Sequence, residues 1–387
     1  MRALRGNRCR CCLSFSVRNN RMSEFDAAEH EFMAQALRLA ERGRYTARPN
    51  PCVGCVLVND GRIVGEGWHQ KTGDAHAEIN ALKQAGKSAA GSTAYVTLEP
   101  CSHTGKTPPC VDALLDAKVV AVVIAMLDPN PKVSGTGVTA LEDAGIEVRV
   151  GLMQSEAHSI NRGFISRMTR GRPFVRLKIA ASLDGCTAMA SGESQWITSE
   201  PARHDVQRLR ASAGAILTGI DTVLADDPSL TVRDTEIPND GAQPLRVVVD
   251  SRLRMFPSAR MLKLPGNTLI YCVAGDGEQT ITQAGAEVCV VTGAAGRVDA
   301  SLLLADLASR EINDVLVEAG PTLSGSLLEA KLVDELVIYQ APHIMGSETR
   351  GMVTTPAWRS LQQRLELEIL DIRKIGVDIR IIARPMG

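Results

Sequence analysis

Aromatic side chains are scarce: among 387 residues there are three Trp, four Tyr and six Phe. A surface for single-stranded nucleic acid stacks bases on aromatic rings along a basic groove. Both ingredients are short here, because 43 Lys and Arg nearly cancel 44 Asp and Glu and leave a formal charge of −1. That balance also removes any sequence-independent pull toward polyanions or an anionic membrane surface. Long apolar runs are missing too: stretches such as Val119 to Met126 have the length of a strand, well below the roughly 20 residues that cross a bilayer. The ten cysteines are irregularly spread, with three in the first 21 residues, unlike the regular framework of a small disulfide-stapled secreted domain. We therefore expect a soluble, cytoplasmic globular protein with a small-molecule partner, long enough for two domains.

The first 21 residues hold six arginines and no acid, superficially a transit-peptide composition, but they lack an amphipathic apolar face and run into Met22-Ser23-Glu24-Phe25. We expect Met22 to be the native start and residues 1–22 to be a non-native or disordered leader. Asp26 then caps a helix with Phe32, Ala36, Leu39 and Ala40 at helical spacing, and Asn59-Asp60-Gly61 joins two apolar runs as a hairpin. Helices near 75–86, 109–117 and 137–144 alternate with strands at 94–98, 119–126 and 146–150. A polar stretch, 151–172, reads as a bridging helix and linker. From Pro173 the rhythm restarts, with strands at 174–180, 215–219, 245–250, 268–273, 287–291, 314–318 and 335–340. Helices 199–213 and 302–309 lie among them, and a hairpin turns at Gly376. Such alternation implies two α/β domains, over 23–170 and 171–387.

His76-Ala77-Glu78 and the later Cys101 and Cys110, in LEPCSHTGKTPPC, carry the first chemistry. Catalytic zinc needs three nitrogen or sulfur ligands and an open position, which His76, Cys101 and Cys110 can supply. Glu78 is then left over to move the proton of an activated water. The competing arrangement is a four-ligand structural site completed by His103 or by Cys52 and Cys55. Those last two open a hydrophobic strand, where joint ligation needs a local bend, so we take them as packing residues and His103 as a loop residue. Gly135 to Ala140, GTGVTA, mimics a dinucleotide fingerprint but does not directly follow its strand, and we set it aside. The glycines of EAGPTLSG follow a strand and open a helix, so their amides can approach phosphate or carboxamide. A plain strand-to-helix turn is the alternative.

These residues resemble the zinc-dependent cytidine deaminase superfamily, in the riboflavin-pathway version with eight residues between the cysteines; NPCVGCVLVNDGRIVGEGWHQKTGDAHAE and DPNPKVSGTG match that version as well. The second half, through LKIAASLDGCTAMASGESQWITS, ILTGIDTVLADDPSLTVR and VEAGPTLSGSLL, is similar to the dihydrofolate-reductase-like reductase fused to that deaminase. The resemblance spans about residues 25–385. It implies a cytidine-deaminase-like α/β/α domain followed by a reductase domain, with one zinc and NADPH as cofactors. The implied reactions are deamination of a diaminopyrimidine ribosyl phosphate and reduction of the product's ribose, with Glu78 as proton carrier.

By matching positions, the resemblance assigns Asn50, His69 and Lys106 to the deaminase substrate. It gives NADPH Ala180, Trp196, Thr222, Asp226 and the loop Gly320, Pro321, Thr322, Leu323, Ser324, Gly325 and Ser326. The second substrate takes Ser194, Arg210, Leu230, Arg233 and Glu318; beside that set, Lys178 is read as a further substrate contact, with an ion pair to Asp184 as the alternative. For Trp196 the alternative is burial in a core. Asp226, Glu318 and water are candidates for the proton donor of the reduction. Arg252 or Arg254, after an apolar strand, is expected to favour NADPH over NADH by meeting the 2′-phosphate, with plain solvation as the alternative. A homo-oligomer, a dimer through the reductase domain, is expected. A nucleic-acid base deaminase and a zinc-stabilised binding protein remain the other readings; the scarce aromatics speak against the first, and Glu78 against the second.

Overall fold

The computed structural model describes residues 25–102, 108–131 and 133–386. The expectations for the leader, His103 and Lys106 lie outside them. Asp26 and Glu29 cap reciprocally, each carboxylate accepting from the other's backbone N–H, and so start α1 (Ala27–Glu41). Strands β1 (Gly54–Asn59) and β2 (Arg62–Trp68) pair antiparallel around Asp60 and Gly61, both at positive φ, as a primed two-residue turn demands. There follow α2 (Ala77–Ala85), β3 (Thr93–Val96), α3 (Cys110–Asp116), β4 (Ala121–Ile124), α4 (Thr136–Asp143) and β5 (Glu147–Val150). The sheet order is β2-β1-β3-β4-β5, parallel from β3 onward. Alternation along the strands sends Leu57, Val96 and Ile124 to α2, α3 and α4, and Val56, Tyr95 and Val123 to α1 on the other face. At Gly67 an added Cβ would sit 2.2 Å from the Ala77 carbonyl oxygen, so glycine alone lets α2 settle this close to β2.

The bridging segment is a helical pair, α5 (Gln154–Ile160) and α6 (Arg162–Arg170), broken at Asn161 and closed by Gly171 at φ 64°. The break has a use. The Asn161 amide donates to the Cys52 carbonyl at 2.9 Å and accepts from the Cys52 N–H at 2.8 Å, replacing a strand partner.

The second unit runs β6 (Phe174–Ser182), β7 (Cys186–Ala188), α7 (Glu200–Ser212), β8 (Ala215–Gly219), α8 (Ile220–Asp226), β9 (Leu245–Val249), β10 (Thr268–Cys272), α9 (Glu278–Gln283), β11 (Ala286–Val290), α10 (Ala300–Ser309), β12 (Asp314–Val317), α11 (Pro321–Glu329), β13 (Glu335–Ala341), β14 (Arg350–Gly351), β15 (Leu367–Ile375) and β16 (Asp378–Pro385). Its main sheet has the order β11-β10-β9-β8-β12-β6-β13-β16-β15, parallel up to β13 and antiparallel beyond. Val175, Leu177, Val315 and Val317 face α10 and α11, whereas Ile216, Val248 and Ile270 face the opposite layer. The units join through shared carboxylates: Glu335 accepts from Arg162 and Arg176, and Asp334 takes Arg170 and Arg172 at 2.7 Å each. Among the described residues, no helix is long and apolar enough to cross a membrane.

Candidate active sites

His76 occupies the N-cap of α2 in extended conformation, which frees its ring from the helix, and Cys110 begins α3. Cys101 ends the segment after β3. The three donor atoms lie within 4.8 Å of one another. His76 Nδ1 is 3.2 Å from Cys110 Sγ and 3.6 Å from Cys101 Sγ. Two ligands on one tetrahedral zinc, with Zn–N and Zn–S bonds of ordinary length, are about 3.6 Å apart, so donor chemistry and spacing both fit that ion. The Cys101 thiol is lowered chiefly by its hydrogen bond with Cys110, helped by His76, and Cys110 is raised in turn; ionised sulfur is the ligating form. Glu78, in the first turn of α2, is 3% exposed and outside the three-atom group. Burial pushes its carboxyl up to about 7. Cys52 and Cys55 also lie outside the group, and burial raises both thiols.

His76, Glu78 and Cys101 face a cavity of about 360 Å³ that also meets Asn50 and His69. Asn50 Nδ2 lies 3.0 Å from His69 Nε2, and His69 Nδ1 lies 3.3 Å from the Ala75 carbonyl. The pattern assigns a neutral ring with its proton on Nδ1, in line with the burial that lowers its pKa. Glu99, unremarked in the sequence, serves the wall of this cavity. Its carboxylate accepts from the backbone N–H groups of Asp128, Gly135, Gly137 and Val138. In GTGVTA the start of α4 is thus already filled by a side chain of the same protein.

The second constellation gathers where parallel strands end, as ligand sites in such sheets do. Glu318 follows β12, and Arg210 of α7 grips it bidentately at 2.6 and 3.0 Å. Lys178 Nζ of β6 is 3.8 Å from the same carboxylate. Lys178 is thus paired with Glu318 and not with Asp184, because Asp184 lies in the turn beyond β6 and accepts from the N–H groups of Met345 and Gly346. Burial alone would raise Glu318, but Arg210 and Lys178 outweigh it and hold the carboxyl at about 2, which leaves it unsuited to donate a proton. Arg233 is exposed and makes no ion pair among the described residues. Leu230 is buried at φ 46°. Ser194 Oγ donates to Asp226 Oδ1 at 3.4 Å. Trp196 is not a core residue: it is 67% exposed, with the Arg203 guanidinium 4.6 Å over its ring. Gly320 caps α11, and a Cβ there would meet only Thr222 Oγ1 at 3.7 Å. Open backbone at Gly320 beside the Thr222 hydroxyl leaves room for a dinucleotide at the start of α11. Ala180 lies on β6, toward the same strand ends. Arg254 pairs with Asp221 at 2.7 Å, one residue from Thr222; Arg252 is exposed.

Residues 26–126 match the cytidine and deoxycytidylate deaminase zinc-binding region, and residues 173–381 match the RibD C-terminal domain. The chain is 50% identical over 357 residues to the riboflavin biosynthesis protein RibD of Escherichia coli strain K12, covering 90% of this chain and 97% of that one. It belongs to the RibD family. Among solved structures, RibD of Acinetobacter baumannii superposes with a TM-score of 0.88 at 45% identity, covering 93% of this chain and 99% of that one. A Thermotoga maritima protein described as a diaminohydroxyphosphoribosylaminopyrimidine deaminase/5-amino-6-(5-phosphoribosylamino)uracil reductase superposes at 0.82 with 32% identity and the same coverage. As a RibD protein this is a deaminase and reductase of riboflavin biosynthesis, a hydrolase joined to an oxidoreductase that acts on a small molecule. Its cofactors are zinc and NADPH. Sequence reasoning about this RibD chain missed Phe164 and Glu311, which also line the first cavity; neither carries a local signal, since the cavity wall they share forms only when the halves meet.

Proposed function

We propose that the cavity at His76 deaminates 2,5-diamino-6-(5-phosphoribosylamino)pyrimidin-4-one to the corresponding uracil, and that the site at Glu318 reduces that product's ribosyl group to ribityl. The observation that carries the reading is the spacing of three zinc-type donors beside a buried carboxylate that is not one of them. His76, Cys101 and Cys110 hold zinc, which when bound supplies the Lewis acid that makes water a nucleophile at neutral pH. Glu78 takes one proton of the attacking water and passes it to the ring nitrogen, then moves the remaining proton of the added hydroxyl to the amino group, which leaves as ammonia. Asn50 and His69 hold the pyrimidine, and Lys106 holds the phosphoribosyl portion.

In the second site NADPH supplies hydride. Ala180, Trp196, Thr222, Asp226 and the loop 320–326 orient it, and Ser194, Leu230 and Lys178 contact the sugar-bearing substrate. Arg210 and Glu318 fix each other, so the phosphate grip falls to the unpaired Arg233. The activities divide at the end of α6, into 23–170 and 171–387, with residues 1–22 a leader outside both. The protein works in the cytoplasm as a homodimer through the reductase half. Supporting that pairing, the edge strand β15 exposes Ile369 and Ile372 at 53% and 61%, an apolar edge that proteins normally cover. Incubation with the diaminopyrimidine phosphate, with and without NADPH, tests the chemistry: ammonia is expected in both arms and NADPH oxidation in one. No ammonia in either arm refutes the reading.

A further inference from the structure

We infer that Asn313, a residue of the reductase half, is a positioning residue for deamination. Its backbone belongs to the second sheet: the Asn313 carbonyl accepts from the Phe174 N–H at 2.8 Å, at the entrance of β6 and β12. Its side chain leaves that sheet and, 4% exposed, crosses to the first half. Asn313 Nδ2 donates to the Pro49 carbonyl at 2.8 Å, and Asn313 Oδ1 accepts from Arg167 Nε of α6 at 2.6 Å. Arg167 also reaches the Pro49 carbonyl, at 3.5 Å. Pro49 directly precedes Asn50, whose amide holds His69 at the floor of the cavity.

The chain from Ala47 to Asn50 is thus pinned from two sides. Thr72 Oγ1 donates to the Ala47 and Arg48 carbonyls at 2.7 and 2.8 Å, and the next carbonyl, that of Pro49, is held from the reductase half. Two residues before Asn313, Glu311 lines the same cavity at φ 63°. Segment 311–313 therefore builds one wall and fixes the loop that bears Asn50. A buried carbonyl that loses its donor drives local rearrangement, and small misplacements of a binding group weaken the productive complex. Asn313 precedes β12 and Glu318 follows it, so one strand separates a residue that serves deamination from one that serves reduction.

The inference rests on the deaminase reading of this cavity, and its test separates the two. Full-length, zinc-loaded wild type, Asn313→Ala and Asn313→Asp are compared for deamination kcat and KM, zinc content, and NADPH oxidation with the deaminated product. Asp is nearly isosteric and keeps the acceptor for Arg167, but it cannot donate to Pro49. In both variants KM for deamination is expected to rise about tenfold, with kcat within about twofold and zinc and reduction unchanged. An Asp variant that behaves as wild type overturns the inference, as does a loss of reduction in parallel with deamination, which would mark Asn313 as a general support of the fold. No ammonia from wild type overturns the deaminase reading, and this inference with it.

Discussion

Burial disfavours charge on Glu78 and Glu318 alike, yet the two carboxyls end on opposite sides of their ordinary value. Around Glu78 the desolvation prevails and the group rises to about 7; around Glu318 two cations reverse it, to about 2. Glu78→Gln is expected to keep zinc and to lose deamination by about 10²- to 10⁴-fold, as metal analysis paired with an ammonia assay would report. A variant without zinc would instead make Glu78 a ligand. Glu318 follows the acid rule of linkage: its folded value lies below the unfolded one, so its stabilisation is complete above about pH 4.5 and fades as pH falls toward about 2. Glu318→Gln also leaves Lys178 and Arg210 without their counter-charge, at a cost on the order of 3 to 5 kcal/mol at neutral pH. The melting difference between wild type and this variant should narrow as pH is lowered from 5 to 3; a constant gap would remove the electrostatic account.

At the scale of elements, helix starts and strand ends carry the sites. α2 presents His76 and Glu78, α3 presents Cys110, and α11 presents the Gly320 loop, because helix N-termini leave backbone N–H groups unpaired. The end of β9 brings Arg254 against Asp221, beside Thr222. If that guanidinium meets the cofactor's 2′-phosphate, Arg254→Ala should cut the NADPH-over-NADH preference roughly ten- to a hundredfold, the worth of one charge-assisted contact, in kinetics with both nucleotides. An unchanged ratio would move the selectivity elsewhere. Most long elements were legible, since apolar periodicity marks them, but α8 was not. Its seven residues follow β8 without a break, and Asp221 and Thr222 leave too few apolar positions to mark a helical period. β7 and β14 are too short for alternation to register.

Across the described residues the His76 cavity and the Glu318 cluster belong to separate sheets, and segment 311–313 carries residues of the second half to the wall of the first cavity. Chelation of zinc is expected to abolish ammonia release while the same sample still oxidises NADPH with the deaminated product. Loss of both would mean that the metal holds the entire fold. Local chemistry in the sequence determined the α/β alternation and singled out His76, Cys101 and Cys110, whose donor atoms the fold brings together, because capping, period and ligand type are properties of neighbouring residues. Only the tertiary structure decided that Lys178 pairs with Glu318, that Arg210 is committed to the same carboxylate, that Glu99 fills the start of α4, and that Asn313 secures Pro49. Each of those contacts joins residues far apart in the chain, and their partners are chosen by how sheets and helices pack, which no local pattern records.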